Sequence, residues 1–149
     1  RPHAAADRLY CLEVDVGAAA PRRIVSGLKG HYTVEQLVGR QVLVLCNLPE
    51  ADFKGEPSQG MVLCAVKGRK TALLECSGAA VGAPLCALGT DTVPNTELDI
   101  KAFGKLDLKL KAKAGAVVGV FKHHVLAVGE TPVTADPAKG LAEGAQIKQ

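Results

Sequence analysis

The sequence predicts an all-β fold built as a small barrel. Short apolar runs follow one another, turn residues separate them, and a single short segment carries the signals of a helix start. A chain of 149 residues suffices for one domain with a small appended one, and 48% of its residues are apolar. Because aromatic residues make up only 3%, the predicted core consists of Val, Leu, Ala and Ile.

Two strands and one helix are predicted in the N-terminal part. Residues 9–16, LYCLEVDV, end in alternating apolar and acidic side chains, as in a half-buried strand. Residues 22–28, RRIVSGL, predict a second short strand. Thr33 and Gln36 have the spacing of a capping box, which predicts a short helix over 33–38.

The middle of the chain predicts buried strands separated by loops. The continuous apolar run QVLVLCNL at 41–48 is typical of a fully buried strand, and MVLCAV at 61–66 and TALLEC at 71–76 predict two more. Residues 49–60 exceed a plain hairpin turn, so they are predicted to form a functional loop. Residues 77–94 are rich in Gly, Ala and Pro and are predicted to be loop.

The C-terminal third combines weak elements with a cluster of lysines. A weak element is predicted at 98–103, and short strands at 117–121, 124–128 and 132–135. The net charge of the chain is only +3, but the lysines are clustered. The cluster consists of Lys101, Lys105, Lys109, Lys111, Lys113 and Lys122, with Asp107 as its one acid. Such a cluster indicates either a polyanionic partner or a solvated face kept for solubility.

No metal, cofactor or catalytic site is indicated. The five cysteines include no CxxC pair, whereas zinc sites need closely spaced ligand pairs. Most of them lie in apolar runs, so we expect buried free thiols and a cytoplasmic protein. The adjacent His123 and His124 would point to opposite faces of a strand and cannot ligate one metal. No independent enzymatic activity is therefore expected.

No membrane contact is expected either, because no apolar stretch approaches the roughly 20 residues that span a bilayer. The chain opens without a signal peptide or an initiator Met, and we expect it to be a piece of a longer protein.

Several motifs occur in an order and spacing that resemble one known family. They are Ser26-Gly27 in RIVSGL, Asn47 in VLVLCNL, and Lys54-Gly55 with Ser58-Gln59-Gly60-Met61 in FKGEPSQGMVLCA. This pattern resembles the tRNA-binding domain family typified by endothelial monocyte-activating polypeptide, which is appended to several aminoacyl-tRNA synthetases and their cofactors. The opening HAAADRLYCLEVDVG is similar to the same family, and GVFKHHVLAVGETPVTADPAKGLAEGAQIK resembles it more faintly.

The resemblance implies a fold and a domain organisation. It implies an OB-fold tRNA-binding domain over 1–103, a five-stranded barrel whose first strand comes before Arg1 and is missing from this chain. It also implies a β-rich appendage over 104–149 that covers the surface used for dimerisation in bacterial relatives, so a monomer is expected.

The resemblance also implies the RNA-binding residues. They are Ser26, Asn47, Lys54, Gly55, Ser58, Gln59 and Met61, with Arg22, Arg40 and Lys67 as flanking cations. Because aromatic residues are few, we expect recognition of folded tRNA by shape and phosphates rather than by stacking along a single strand.

The parent protein and a second role stay open at this point. The domain could belong to an aminoacyl-tRNA synthetase or to a synthetase-associated cofactor, with synthetases as further partners. The alternative function is that of a scaffold or a cytokine-like fragment of a multi-synthetase complex.

Overall fold

β-Strands dominate the computed structural model, which describes residues 1–88, 99–113, 116–122, 124–141 and 143–148. The strands up to residue 75 are β1 (Tyr10–Val14), β2 (Arg22–Ser26), β3 (Val44–Leu45), β4 (Ala51–Phe53), β5 (Glu56–Ser58), β6 (Met61–Val62), β7 (Cys64–Lys67) and β8 (Lys70–Glu75). Those that follow are β9 (Leu85–Ala87), β10 (Leu108–Lys113), β11 (Ala116–Phe121), β12 (His124–Val128), β13 (Thr131–Pro132), β14 (Thr134–Ala135) and β15 (Gln146–Lys148). The predicted all-β fold is confirmed, and the five-stranded barrel stays a prediction.

A capping box starts the first helix, as predicted. The helix α1 (Val34–Leu37) has Thr33 as its N-cap; the Thr33 N–H donates to Gln36 Oε1 at 2.9 Å, and the Gln36 N–H donates to Thr33 Oγ1 at 3.4 Å. The weak element predicted at 98–103 is a second helix, α2 (Ile100–Gly104), although residue 98 lies outside the described residues.

The other described helical segments are short and capped by acids. Asp99 caps α2 by accepting hydrogen bonds from two backbone N–H groups, and Phe103 anchors that helix in the core. A single 3-10 turn, Pro137–Lys139, follows Asp136 near the C-terminus.

The prediction of a fully buried strand at 41–48 is wrong. Only Val44–Leu45 forms a strand, paired with Met61–Val62, and residues 42–48 are all half-buried. The reason is a groove of about 1040 Å³ that this segment lines together with β1. An apolar run indicates that a segment packs against a core. It does not show whether other segments cover both faces of that strand.

The prediction of a loop at 49–60 is also wrong. Residues 51–58 form a tight hairpin in which β4 pairs with β5. Its two turn residues, Lys54 and Gly55, both have left-handed backbones, with φ of 54° and 89°. This is the backbone that a two-residue hairpin turn requires, and glycine at the second position accepts it without strain.

Strands from the middle and from the C-terminal part of the chain close into one ring. β7 pairs with β8 on one side and with β15 on the other, β15 pairs with β10, and β10 pairs with β11. The Gly119 N–H of β11 donates to Val133 O at 2.8 Å, and β14, which follows Val133, pairs with β8. The ring encloses a core that includes Leu74, Leu110 and Ile147.

The ring bears on two predictions. Because β7 and β8 come from the predicted domain 1–103 and the other ring strands come from 104–149, the two parts share a sheet; the boundary itself stays a prediction. Within the predicted loop 77–94, Leu85–Ala87 is a strand that pairs with β12, and residues 89–94 lie outside the described residues. None of the described helices is long and apolar enough to cross a membrane.

Candidate nucleic-acid interface

Ser58 fastens the β4–β5 hairpin to strand β2. Its side chain is buried, its Oγ accepts the Val25 N–H at 3.0 Å, and its hydroxyl donates to Gly60 O at 3.1 Å. Both hydrogen bonds stay within the protein, so Ser58 supports the hairpin from beneath and is not presented to solvent.

Gln59 continues the attachment by pairing with Arg23. The Gln59 N–H donates to Arg23 O at 2.8 Å, and Gln59 Oε1 accepts the Arg23 N–H at 3.1 Å. Gly60 follows where the backbone of β3 comes close: a Cβ at this position would lie 2.9 Å from Leu45 O. The Ser-Gln-Gly motif is thus a backbone clamp that sets the direction of the hairpin.

The remaining motif residues surround this clamp. Arg22 is half-buried, and its guanidinium donates to Cys46 O at 3.0 Å and to Gln59 O at 2.7 Å. Ser26 is buried at the end of β2, Asn47 is half-buried after β3, and Met61 is half-buried and paired with Leu45. The structure brings these residues together as the structural base of the hairpin.

The N-terminal segment braces the other side of the hairpin. His3 is buried; the Ala5 N–H donates to its Nδ1 at 3.0 Å, so Nε2 carries the proton and donates to Phe53 O at 2.7 Å. Lys54 Nζ donates to Ala5 O at 3.1 Å. A turn that is held from two sides presents its tip in a fixed direction.

An ion pair adds to this brace. The Arg1 guanidinium contacts Glu56 Oε1 at 2.7 Å, and this hydrogen bond lowers the pKa of Glu56. Since the pair is exposed, its value for stability is small.

The exposed tip of the hairpin carries a cation, a glycine and an aromatic ring. Lys54 and Gly55 are exposed, and Phe53 is the one exposed ring among the five aromatic residues of the chain, with 42% of its surface accessible. A cleft of about 370 Å³ lies beside the hairpin, and its charged lining consists of Arg1 and Arg23 together with Glu13 and Glu56. Sequence reasoning missed Phe53, Arg1 and Arg23, because their position depends on the hairpin that was predicted as loop.

Arg40 lies outside the hairpin and its base. Its guanidinium bridges Glu75 Oε1 at 2.6 Å and Asp136 Oδ2 at 2.8 Å, and it lies 5.3 Å from the centre of the Tyr32 ring. The Tyr32 hydroxyl donates to Asp136 Oδ2 at 3.0 Å and accepts the Leu73 N–H at 2.8 Å. We refer to Tyr32, Arg40, Glu75 and Asp136 as the Arg40 cluster.

Burial, hydrogen bonds and charge shift the pKa values of Tyr32 and Asp136 in the Arg40 cluster. Burial raises the pKa of Tyr32. Burial also acts to raise the pKa of Asp136, but hydrogen bonds from the Ala138 N–H and Tyr32, together with the charge of Arg40, outweigh it and lower that pKa. With these contacts, the Asp136 carboxylate has a structural role in the fold.

Lys67 lies in a third place, at the end of β7. Its Nζ donates to Glu143 O at 3.0 Å, next to strand β15. The ten predicted site residues therefore fall into three groups: the hairpin and its base, the Arg40 cluster, and the surroundings of β15.

Possible metal ligands and the five cysteines are spread through the described part of the chain. Among the described residues, no three His, Cys, Asp or Glu side chains come together to hold a metal ion, and His123 lies outside that part of the chain. The five thiols are free; Cys64 and Cys76 are buried, but the other three are half-buried, contrary to prediction. Burial raises the pKa of Cys64 to about 12, so its thiol stays protonated at neutral pH.

Comparison with known sequences assigns the family. The sequence profile described as "Putative tRNA binding domain" matches residues 1–83, which is more than half of the chain. The chain belongs to the tRNA-binding domain family. A tRNA-binding domain of this kind is a non-catalytic module, so the chain is a tRNA-binding module and not an enzyme in itself.

Relatives of this tRNA-binding domain occur in larger proteins. The aminoacyl tRNA synthase complex-interacting multifunctional protein 1 of Mus musculus is 40% identical over 114 residues, which are 76% of this chain and 33% of that protein. The cytoplasmic tyrosine–tRNA ligase of Danio rerio is 39% identical over 145 residues, 93% of this chain and 27% of that protein. The chain thus spans a third or less of the length of these relatives.

One solved structure resembles the domain over almost all of its length. The C-terminal domain of Plasmodium vivax p43 superposes with a TM-score of 0.84 at 30% identity, covering 99% of this chain and 90% of that one. This structural resemblance includes the part after residue 83, which the sequence profile does not match.

Proposed function

We propose that this domain holds tRNA mainly by its phosphates, with the tip of the β4–β5 hairpin and the adjoining cleft as the contact surface. Lys54 and the guanidinium groups of Arg1 and Arg23 meet phosphates, and Gly55 lets the backbone approach. Ser58, Gln59, Met61, Ser26, Asn47 and Arg22 position this surface from beneath.

The observation that carries the proposal is the braced, exposed hairpin tip within the segment that matches the family. The tip offers a cation and a ring, whereas the motif residues beneath it use their polar atoms inside the protein. A rigid cationic surface recognises backbone and shape and carries no base code. Binding is therefore shared among different tRNAs.

The parent protein is an aminoacyl-tRNA synthetase or a synthetase-associated cofactor. The names of relatives support both readings, since they include cytoplasmic tRNA ligases and a synthase complex-interacting protein. An appended module of this kind raises the local concentration of tRNA at a synthetase rather than selecting it. We place the protein in the cytoplasm, as a monomer with tRNA and synthetases as its partners.

A second candidate function is that of a scaffold in a synthetase complex. It rests on the name of the mouse relative, which describes an interaction with such a complex. A pull-down of the full-length parent protein with synthetases, repeated after RNase treatment, separates this role from a tRNA-mediated one.

The test of the proposal is tRNA binding by the wild-type chain and by Lys54→Ala. Each phosphate contact contributes about 0.7–0.9 to the slope of log K against log salt, so three contacts give a slope of about −2 to −3. Lys54→Ala is expected to flatten the slope by about 0.7–0.9 and to weaken binding roughly 5- to 8-fold at 0.1 M salt.

Filter binding with two unrelated tRNAs at three salt concentrations makes the measurement. The matched control is Lys105→Ala, which removes one exposed charge at the C-cap of α2, outside the hairpin and the lining of the cleft. Equal losses in the two variants, or a loss confined to one of the tRNAs, would contradict this assignment.

A further inference from the structure

The lysines of β10 form an ordered row on the outer face of the ring. Lys109, Lys111 and Lys113 alternate with Leu108, Leu110 and Ala112, and side chains of alternate residues point to the same face of a strand. Leu110 is fully buried in the core of the ring. The three lysines therefore lie on the face that points away from that core.

The neighbouring strand extends the row. Gln146 of β15 is paired with Lys109, and Lys148, two residues further along, lies on the same face. Gly144, whose N–H donates to Leu110 O, lies beside β10 one step before this pair. A Cβ at Gly144 would be 3.8 Å from Lys67 Nζ, so the fold brings Lys67 alongside the same row.

The charges of this row are mostly uncompensated. Lys109 pairs with Asp107 at 3.0 Å, and Lys67 uses only the backbone carbonyl of Glu143. In the described part of the chain, no side chain is seen to pair with the ammonium groups of Lys111, Lys113 or Lys148. We call Lys67, Lys109, Lys111, Lys113 and Lys148 the lysine row.

Edge protection does not account for the whole row. Proteins place lysines on edge strands to prevent pairing with other chains, but β10 pairs with β11 along its length and with β15 at Lys109, so Lys109 does not lie on a free edge. Lysines that repel one another on one strand are a cost to folding, and a bound polyanion relieves that cost.

The spacing fits a nucleic acid strand. Alternate residues of a strand are about 6.6 Å apart, which is of the same order as the distance between successive phosphates along RNA. A membrane-binding surface needs apolar side chains beside its cations. The exposed large apolar residues among those described are Val38, Phe53, Val81, Leu88, Ile100 and Leu106, and of these only Leu106 adjoins the row along the chain, just before β10.

We propose that the lysine row is a second phosphate-binding surface, which holds another stretch of the backbone of the tRNA bound at the hairpin. This inference rests on the proposed function. It assigns a role to three lysines of the C-terminal cluster, Lys109, Lys111 and Lys113, and to Lys67 and Lys148, which the hairpin surface does not include.

The test compares two double variants of the whole chain that remove the same charge. Lys111→Ala/Lys113→Ala removes two members of the row, and Lys101→Ala/Lys105→Ala removes two lysines of the same sequence cluster, one on α2 and one at its C-cap. The first is expected to flatten the salt slope by about 1.4–1.8 and to weaken tRNA binding roughly 25- to 60-fold at 0.1 M salt. The tRNA affinity of Lys101→Ala/Lys105→Ala is expected to stay within about 3-fold of that of the wild type.

A third variant, Lys111→Arg/Lys113→Arg, keeps both positive charges. It shows whether a loss of binding in the alanine pair comes from the lost charge or from misfolding after substitution at these positions. Retained binding by this variant together with loss in the alanine pair supports the row. Equal effects of the two alanine pairs, or an unchanged slope in Lys111→Ala/Lys113→Ala while the wild type binds, overturn the row but leave the hairpin surface standing. Failure of the wild type to bind tRNA overturns the proposed function and this inference with it.

Discussion

Replacing Asp136 by alanine tests how the C-terminal segment is held to the rest of the molecule. The Asp136 carboxylate is only 5% exposed, accepts hydrogen bonds from the Tyr32 hydroxyl and the Ala138 N–H at 3.0 Å each, and pairs with Arg40 at 2.8 Å. It thus joins a residue near the C-terminus to two residues that lie about a hundred positions earlier in the chain.

The expected loss follows from these contacts. Two hydrogen bonds contribute about 1 kcal/mol each, and breaking a buried ion pair from one side costs about 3–5 kcal/mol. Arg40 keeps its contact with Glu75 at 2.6 Å, so its charge stays paired and the lost ion pair adds only about 1 kcal/mol to the two hydrogen bonds. We expect Asp136→Ala to lower the free energy of unfolding by about 3 kcal/mol and the Tm by roughly 6–12 °C.

The loss has a defined pH dependence. Folding lowers the pKa of Asp136, so this carboxylate adds stability above its ordinary pKa of about 3.9 and loses that contribution as the pH falls further. The difference in the free energy of unfolding between the wild type and Asp136→Ala is therefore expected to be constant from pH 7 to pH 5 and to become smaller below about pH 4.

Denaturant unfolding followed by circular dichroism at pH 7, 5 and 3.5 measures both effects. The control is Asp107→Ala, which breaks the surface ion pair with Lys109 and is expected to change stability by less than about 1 kcal/mol. This account of the Arg40 cluster would be refuted if Asp136→Ala lost no more stability at pH 7 than the control variant. It would also be refuted if the stability difference between wild type and Asp136→Ala increased at acidic pH.

Four further outcomes are expected. Ser58→Ala leaves the buried Val25 N–H without its acceptor and should destabilise the fold by about 1–3 kcal/mol in denaturant unfolding; an unchanged midpoint would contradict the clamp. Gly60→Ala places a Cβ 2.9 Å from Leu45 O and should cost about 1–3 kcal/mol in the same measurement. Phe53→Ala should weaken tRNA binding by about 1–3 kcal/mol without changing the salt slope, if the exposed ring stacks on a base. Light scattering of the isolated domain should show a monomer, and a dimer that persists at low micromolar concentration would contradict the proposed oligomeric state.

The sequence by itself determined the features whose signals are local. Alternation within 9–16 predicted β1, because the side-chain period of a strand is a property of a few consecutive residues. The spacing of Thr33 and Gln36 predicted the start of α1, because both hydrogen bonds of a capping box lie within one turn. The family could likewise be recognised, since its motifs lie close together in the chain.

The tertiary structure alone decided where each predicted site residue lies and which groups it contacts. Ser58 and Gln59 turned inward because β2 lies beneath them, and Arg40 joined Asp136 because the C-terminal segment returns to β8. Lys67 came to the lysine row in the same way, through the pairing of β15 with β7. No local pattern reports such partners, because strand pairing between distant segments depends on which faces the rest of the chain covers.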